Sequence, residues 1–498
     1  MRDDKSANIV KLETSDRSRQ QLEQSLVHGF AWSGLIKWTS QIVSWASTFV
    51  VAHFLSPSDY GLVSIAAVYL GLLTLIGEFG VGTTVITLRN LSEEQIAQLN
   101  GLALITGVVG FLGSCVLAVP LSMFFHFSGF RMVFIVMSIV FIISSLQSVP
   151  SALLQRELRF KATALIDGAR SAILALFSVS LAVAGFRYWT LVFSTLLGAC
   201  LSTGLTLRLR NHRFAWPRLR SLRSALKFSG DIVGARVAWY CYSNADFIVA
   251  GRFLGQSELG TYTFAWTLAH LPLERITGLL NTVMPAFFSA IQDDLASLRK
   301  YVLNVTQALA LVTFPAAVGI SLVASDFVHS ALGPRWEGAI VPLELLAIYG
   351  AIRTVDSLLP FVLIVTGDTR RFLWLSLMNL IVLPPAFYFG SRWGAPGIAA
   401  AWLVLYPVLS VPLFWLALRK IQISGREYWR TICPPVVGVA FMVLAVSAIK
   451  AVLPISGHIW WRLGAEVLSG AIVYSGSMFL LFKDMLWAAL RRIQTAVG

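Results

Sequence analysis

The sequence predicts an all-α polytopic membrane protein of about 14 transmembrane helices, with two pseudo-symmetric six-helix lobes and two C-terminal helices. Three observations predict this fold class: the composition, a series of long apolar segments, and an internal repeat. Of the 498 residues, 56% are hydrophobic and 13% are charged, against about 25% charged in average soluble domains. A soluble core could not absorb so much apolar sequence, so most of it is expected to face lipid or other membrane helices.

Apolar segments long enough to cross a bilayer, which takes about 20 residues, follow one another along the chain. The predicted spans are 29–52, 59–81, 98–125, 130–149, 164–185, 188–208, 228–250, 259–284, 303–324, 338–365, 371–390, 395–418, 431–453 and 460–482. A β-barrel would instead show alternating segments of about ten residues, and the sequence has no such pattern.

Lysine and arginine are distributed unevenly between the connections on the two sides. The even-numbered connections are rich in both, whereas most odd-numbered ones carry a single cation, namely Arg131, Arg187, Arg252, Arg335 or Arg392. The positive-inside rule therefore predicts that both termini are cytoplasmic. The formal net charge of +14 is then mainly a topology signal. Nucleic-acid binding is disfavoured, because the charge is spread over loops beside membrane helices.

A nine-residue stretch occurs twice. HFLSPSDYG at 53–61 returns as RFLGQSELG at 252–260, shifted by 199 positions without a gap. A second pair supports the repeat: PSALLQRELRFKA at 150–162 and PFVLIVTGDTRRF at 360–372 each run from a proline into a basic turn. Six predicted helices separate the first two copies, so the repeat is parallel. Paired repeats are typical of transporters, which bind substrate where the two halves meet.

The repeat divides the chain into five predicted parts. They are a cytoplasmic tail (1–27), a six-helix lobe (28–209), a basic cytoplasmic linker (210–227), a second six-helix lobe (228–420), and two further helices with a cytoplasmic tail (421–498). The first part is polar and of mixed charge, which predicts a tail rather than a secretory signal peptide.

Several motifs resemble those of one transporter family. They are FLSPSDYGLVSIA (54–66), GEFGVGTTVI (77–86), PSALLQRELRFKA (150–162), NADFIVAGRFLGQSELGTYTFAW (244–266), LGPRW (332–336) and WGAPGIAAAW (393–402). Through most of 28–420 the chain resembles the Wzx-type polysaccharide flippases, the polysaccharide transporter family of the multidrug/oligosaccharidyl-lipid/polysaccharide exporter superfamily. One departure is Thr87-Leu88-Arg89, where many relatives end in Gln-Arg.

The resemblance implies twelve core helices in two lobes, alternating access, and a lipid-linked oligosaccharide as cargo, usually on undecaprenyl pyrophosphate. It implies flipping from the cytoplasmic to the periplasmic leaflet of a bacterial inner membrane, for exopolysaccharide, capsule or O-antigen biosynthesis. A polysaccharide polymerase and a chain-length regulator would be the natural partners.

Ionisable residues within the predicted spans are candidates for a substrate site, because charge in the bilayer core is costly and usually faces a cavity. Lys37 and Arg236 are separated by the same 199 positions as the repeated loops. Both are predicted to bind the lipid pyrophosphate, since ammonium and guanidinium groups donate hydrogen bonds to phosphate. The alternative is that both side chains extend to the interface. Arg275, after Pro272, is a third phosphate candidate.

Arg353 and Asp356, three positions apart, are predicted to be either a cavity pair or, as favoured by their spacing, a fixed ion pair. Arg353 is included among the substrate-binding candidates and Asp356 among the ion-coupling candidates. Asp246 is the other coupling candidate, for a proton or a sodium ion, with a pair to Arg252 as the alternative.

Neither a metal site nor a cofactor is predicted. The cysteines lie in apolar segments without a CxxC motif, and no GxxxxGK[ST] motif occurs. Two rival functions stay open. A MATE-like drug or cation antiporter would favour acidic pockets. A membrane-embedded glycan-assembly enzyme is disfavoured, because the longest predicted outer loop has about 13 residues, and the chain is therefore not predicted to be an enzyme.

Overall fold

The computed structural model contains helices, turns and short irregular connections, with no strand among the residues that it describes. The described residues are 39, 41–87, 91–157, 159–218, 237–291, 294–453 and 459–483. Ten helices in this part are long and apolar enough to span a membrane. The predicted class, an all-α multi-span membrane protein, is therefore confirmed.

The described helices overlap the predicted spans, but parts of the spans 29–52 and 228–250 lie outside the described residues, so the count of 14 stays a prediction. In the first part of the chain they are α1 (41–54), α2 (Pro57–Thr87), α3 (Glu93–Phe125), α4 (Phe130–Arg156), α5 (Phe160–Val183) and α6 (Trp189–Leu209). After the linker they are α7 (237–243), α8 (Ala245–Phe253), α9 (Gln256–Ala290), α10 (Leu295–Phe327), α11 (Ile340–Asp356), α12 (Leu359–Val365), α13 (Thr369–Gly390), α14 (Gly394–Lys420), α15 (Gly425–Val452) and α16 (Ile459–Leu481).

Two of the predicted continuous helices are interrupted. The span predicted at 228–250 breaks at Asn244, whose side-chain amide donates to the Tyr240 carbonyl at 2.9 Å. The span predicted at 338–365 breaks after Asp356, because Pro360 has no N–H to bond the Asp356 carbonyl one turn back. Interrupted helices of this kind line the binding sites of many transporters.

The chain forms two compact units. The first comprises the described residues within Met1–Phe54, Tyr69–Leu121 and Phe130–Gly234. The second comprises those within Leu55–Val68, Ser122–Gly129 and Ala235–Gly498.

The first unit is held by polar contacts between helices as well as by apolar packing. Thr203 Oγ1 on α6 donates to the Ile143 carbonyl of α4 at 3.0 Å, and Ser202 Oγ donates to Gln147 Oε1 at 2.8 Å. Such interhelical hydrogen bonds stabilise membrane helices where lipid offers no alternative partner.

The second unit has an aromatic core. Trp336, Tyr349 and Trp402 are among its largest fully buried side chains. The two C-terminal helices α15 and α16 pack on each other, and Tyr474 Oη of α16 donates to the Leu311 carbonyl of α10 at 2.8 Å. This unit holds the candidate coupling residues.

Candidate functional site

The predicted phosphate-binding residues differ in what the structure describes of them. Lys37 and Arg236 lie outside the described residues. Arg275 lies in α9, and its side chain is not among those described. The pyrophosphate site therefore stays a prediction.

Asp246 is fully buried in the first turn of α8, two residues after the break at Asn244. Its Oδ2 accepts a hydrogen bond from Tyr262 Oη at 2.6 Å and another from Trp402 Nε1 at 2.9 Å. No side chain of the described residues donates to Oδ1, and the backbone N–H groups of Asp246 and Phe247 lie near the carboxylate. A buried carboxylate held by neutral donors without a cation is costly, and Asp246 stays a candidate for binding a proton or a cation.

The alternative pairing of Asp246 with Arg252 is not what the structure shows. The Arg252 guanidinium lies over the Phe124 ring, 5.3 Å from its centre, and Nη1 is 3.4 Å from His126 Nδ1. Six positions separate the two residues, and on a helix side chains meet at spacings of three or four. Asp246 therefore depends on α9 and α14 for its partners.

A row of aromatic side chains on α9 extends away from Asp246. Tyr262, Trp266 and His270 follow one another at four-residue spacing, which keeps them on one face of the helix. The His270 ring is stacked on Trp266 with centres 4.1 Å apart, and its Nδ1 lies 3.0 Å from the Trp266 carbonyl. His270 Nε2 has no hydrogen-bond partner in the described part of the chain.

Three more aromatic rings, from α11 and α14, pack beside this row. With Tyr262, Trp266 and His270 they are here called the aromatic wall. Tyr349 stacks on Trp402 at 4.9 Å and meets Tyr406 edge-on at 5.2 Å. Trp402 also lies 5.8 Å from Trp266, so the rings of the three helices are continuous. The sequence predictions do not include these residues, although aromatic residues recur at i, i+4 spacing on α9 and α14.

Arg353 and Asp356 each form a hydrogen bond with a tyrosine of the aromatic wall. Arg353 Nη1 donates to Tyr349 Oη at 3.0 Å, and Tyr406 Oη donates to Asp356 Oδ2 at 2.8 Å. Among the ion pairs of the described residues there is none between Arg353 and Asp356. The favoured direct ion pair therefore does not form, and each side chain bonds a tyrosine hydroxyl instead. Asp356 is the last residue of α11, directly before the second helix break.

The two copies of the repeated loop meet within the second unit. Gly61 of α2 and Gly260 of α9 pack so closely that a Cβ on Gly61 would overlap the Gln256 carbonyl oxygen. A Cβ on Gly260 would overlap the carbonyl oxygen of Pro57 in the same way. Gln256 Nε2 also donates to the Ser58 carbonyl at 2.9 Å. Only glycine fits at either position of this backbone-to-backbone contact.

The fold is shared with solved transporters. The lipid II flippase MurJ in an inward closed conformation superposes with a TM-score of 0.72, at 12% identity, over 92% of this chain and 100% of that chain. An inward-facing multidrug resistance MATE family transporter of the MOP superfamily gives a TM-score of 0.61, at 16% identity, over 77% of this chain and 94% of that chain. At these low identities, the two superpositions show a shared fold.

The sequence comparison is more specific. The family described as "Polysaccharide biosynthesis protein" matches residues 50–341, more than half of the chain, and the protein belongs to this family. It is similar to the lipopolysaccharide biosynthesis protein WzxC of Escherichia coli strain K12. The two are 22% identical over 416 residues, which cover 82% of this chain and 84% of WzxC.

Proposed function

We propose that this protein flips a lipid-linked oligosaccharide repeat unit from the cytoplasmic to the periplasmic leaflet of a bacterial inner membrane. The carrier would be undecaprenyl pyrophosphate, and the product would supply exopolysaccharide, capsule or O-antigen biosynthesis. Membership of a polysaccharide biosynthesis family, in a chain with the fold of a lipid II flippase, is the observation that carries this proposal. A polysaccharide polymerase and a chain-length regulator are the proposed partners.

The physical task is to move a charged, hydrated headgroup through a medium that cannot solvate it. In this proposal Lys37 and Arg236, from equivalent positions of the two halves, bind the pyrophosphate in a cavity that opens to the cytoplasm. Arg275 and Arg353 are further cations for the same substrate. The termini are proposed to be cytoplasmic, which puts the repeated loops at the outer side.

The repeated loops provide the outer closure in this proposal. The contact between Gly61 and Gly260 seals the outer end while substrate enters from inside. It must separate when the headgroup leaves. Beside the glycines, the Tyr60 ring packs edge-on against Phe264 and Trp336, with centres 5.3 and 5.4 Å apart, and these ring contacts must separate as well.

Energy coupling is proposed to involve Asp246 and Asp356. Each lies at a helix break in the second unit, and each accepts hydrogen bonds from aromatic side chains. Binding a proton or a sodium ion would change the charge next to these breaks. Such a change can shift the balance between two conformations when the ion binds one of them more tightly.

The proposal is tested with purified protein in vesicles that contain a fluorescent polyprenyl-pyrophosphate oligosaccharide. The readout is the share of substrate that becomes accessible on the far leaflet. Wild type should flip it, and the Lys37→Ala/Arg236→Ala double variant should be at least tenfold slower. Arg392→Ala, in a connection predicted to be on the outer side, serves as the control. Full activity of a well-folded double variant would rule out the proposed phosphate site. Wild-type protein that does not flip the substrate would contradict the proposed function.

A MATE-like antiporter is the second candidate. The buried carboxylate of Asp246 within an aromatic wall is the observation that favours it, because acidic aromatic sites suit organic cations. Gradient-driven export of a cationic dye from the same vesicles, without flipping of the lipid-linked sugar, would support this candidate over the flippase.

A further inference from the structure

The first part of the predicted linker is fixed to a helix end. Residues 210–218, here called the strap, follow α6 in an irregular conformation along the start of α3. Asn100 is fully buried, and its Nδ2 donates to the carbonyls of His212 at 3.2 Å and Arg213 at 3.3 Å. These bonds satisfy backbone carbonyls that an unattached loop would leave to water.

Backbone contacts continue along the strap. The Ala215 N–H donates to the Ala97 carbonyl at 3.0 Å, and the Arg218 N–H donates to Gln98 Oε1 at 3.3 Å. A Cβ on Gly101 would overlap the Ala215 carbonyl oxygen, so the strap lies directly on the helix backbone. Contacts at residues 212, 213, 215 and 218 hold it at a defined position.

The face of the strap that is directed away from the protein is aromatic. His212 is buried and Ala215 is half-buried against the protein. Phe214 is 46% exposed and Trp216 is 82% exposed. Fixing the backbone in this way displays two large rings outward, where a soluble loop would have polar residues.

The surroundings of the strap carry excess positive charge. Six arginines lie on it or at the adjoining helix ends, against three glutamates: Arg156, Arg159, Arg208, Arg210, Arg213 and Arg218, with Glu93, Glu94 and Glu157. Arg210 pairs with Glu157 at 2.8 Å and Arg213 with Glu94 at 3.3 Å. Among these described side chains the arginines outnumber the glutamates by three, which leaves a net positive charge.

We propose that the strap binds anionic phospholipid headgroups at the membrane surface, with Trp216 and Phe214 inserted between them. Tryptophan favours the headgroup layer, and clustered arginines at the ends of membrane helices attract anionic lipids. Exposed aromatics beside a net positive charge complement a surface that is apolar below and anionic above. The strap then fixes the depth of α3 and α6 in the bilayer.

The test uses full-length protein in vesicles that contain either brominated phosphatidylglycerol or brominated phosphatidylcholine at equal mole fraction. Bromine quenches nearby tryptophan, and the difference between wild type and Trp216→Phe isolates the signal of Trp216. We expect phosphatidylglycerol to quench this component at least twofold more strongly. The Arg208→Gln/Arg213→Gln variant should reduce the ratio to about one.

Trp393 provides the matched control, because it is 73% exposed and lies beside a single arginine, Arg392. Its component, isolated with Trp393→Phe, should be quenched equally by the two lipids. Absent quenching of Trp216, or equal quenching by both lipids, would overturn the proposal. Displacement of phosphatidylglycerol by an equimolar polyprenyl pyrophosphate would overturn it too, in favour of a substrate site.

Discussion

Gly61 and Gly260, which are 199 positions apart, occupy the same place in the two copies of the repeated loop and lie against each other. A Cβ on either glycine would come within 3.0 Å of the other glycine's backbone nitrogen. The two copies of the repeat therefore also contact each other in the structure. A side chain at either position would force the start of α2 away from that of α9.

Alanine at Gly61 or Gly260 is expected to impair flipping. The added Cβ destabilises the closed contact by about 1–3 kcal/mol, the usual cost of overpacking, and the closed state becomes correspondingly rarer. Flipping in vesicles should fall at least tenfold, as should restoration of polymer in a deletion strain. Gly319→Ala is the control, because a Cβ there meets no heavy atom within 4 Å. Unchanged flipping by both well-expressed variants would show that the contact has no role in transport.

Asp246→Asn is expected to uncouple transport from its driving ion. The amide keeps the size of the carboxylate but can neither gain a proton nor balance a cation. Wild-type flipping should accelerate under an imposed proton or sodium gradient, whereas the variant should have the same rate with and without it. Asp294→Asn, at an exposed helix cap, is the matched control. A full gradient response in Asp246→Asn would exclude this residue from coupling.

Tyr262→Phe and Trp402→Phe test how Asp246 is held. Each removes one of the two hydrogen bonds to Oδ2, which should destabilise the folded protein by about 1–3 kcal/mol because the carboxylate is buried. Thermal unfolding in detergent gives the change, with Tyr388→Phe, on a half-exposed ring, as the control. If combining either variant with Asp246→Ala, which removes the acceptor, adds the full loss again, the bonds do not act through Asp246.

The two C-terminal helices α15 and α16, here called the C-terminal hairpin, are joined to α10 by a buried charge cluster. Arg462 Nε of α16 lies 2.8 Å from Asp326 Oδ2 and 3.2 Å from Glu466 Oε1, and Lys450 of α15 donates to the Leu322 carbonyl. Arg462→Met should destabilise the protein by about 3–5 kcal/mol, because two buried carboxylates lose their shared cation.

Thermal unfolding checks this loss, and Arg392→Met on an exposed connection is the control. Adding Asp326→Asn and Glu466→Gln should restore most of the stability. If the single variant unfolds at the wild-type temperature, the cluster does not hold the hairpin.

Asp368 should make stability depend on pH. Hydrogen bonding from Lys420 at 2.8 Å, with Arg371 at 3.1 Å, holds the pKa of its carboxylate below the ordinary value. A lowered pKa stabilises the fold above the unfolded pKa of about 4 and ceases to do so as pH falls through the folded value. Asp368→Asn should therefore unfold at a slightly lower temperature at neutral pH, and the difference should vanish in acid. A difference that is independent of pH would contradict this assignment.

The sequence was sufficient for the class of fold and for the equivalence of the two loops, because both follow from linear pattern. It did not predict the contact between Gly61 and Gly260, since an offset along the chain carries no distance. Asp246 was identified by its charge, but its partners Tyr262 and Trp402 lie 16 and 156 positions away. The spacing of Arg353 and Asp356 favoured a direct pair, and two tyrosines from α11 and α14 took its place.

The proposed function is the movement of a finished lipid-linked glycan across the membrane. The most direct measurement is mass spectrometry of lipid-linked sugars from a deletion strain, its parent and a complemented strain. We expect a complete lipid-linked repeat unit to accumulate, with loss of the surface polymer, and both to be reversed by the wild-type gene. Normal levels of lipid-linked sugar and polymer in the deletion strain would contradict this function.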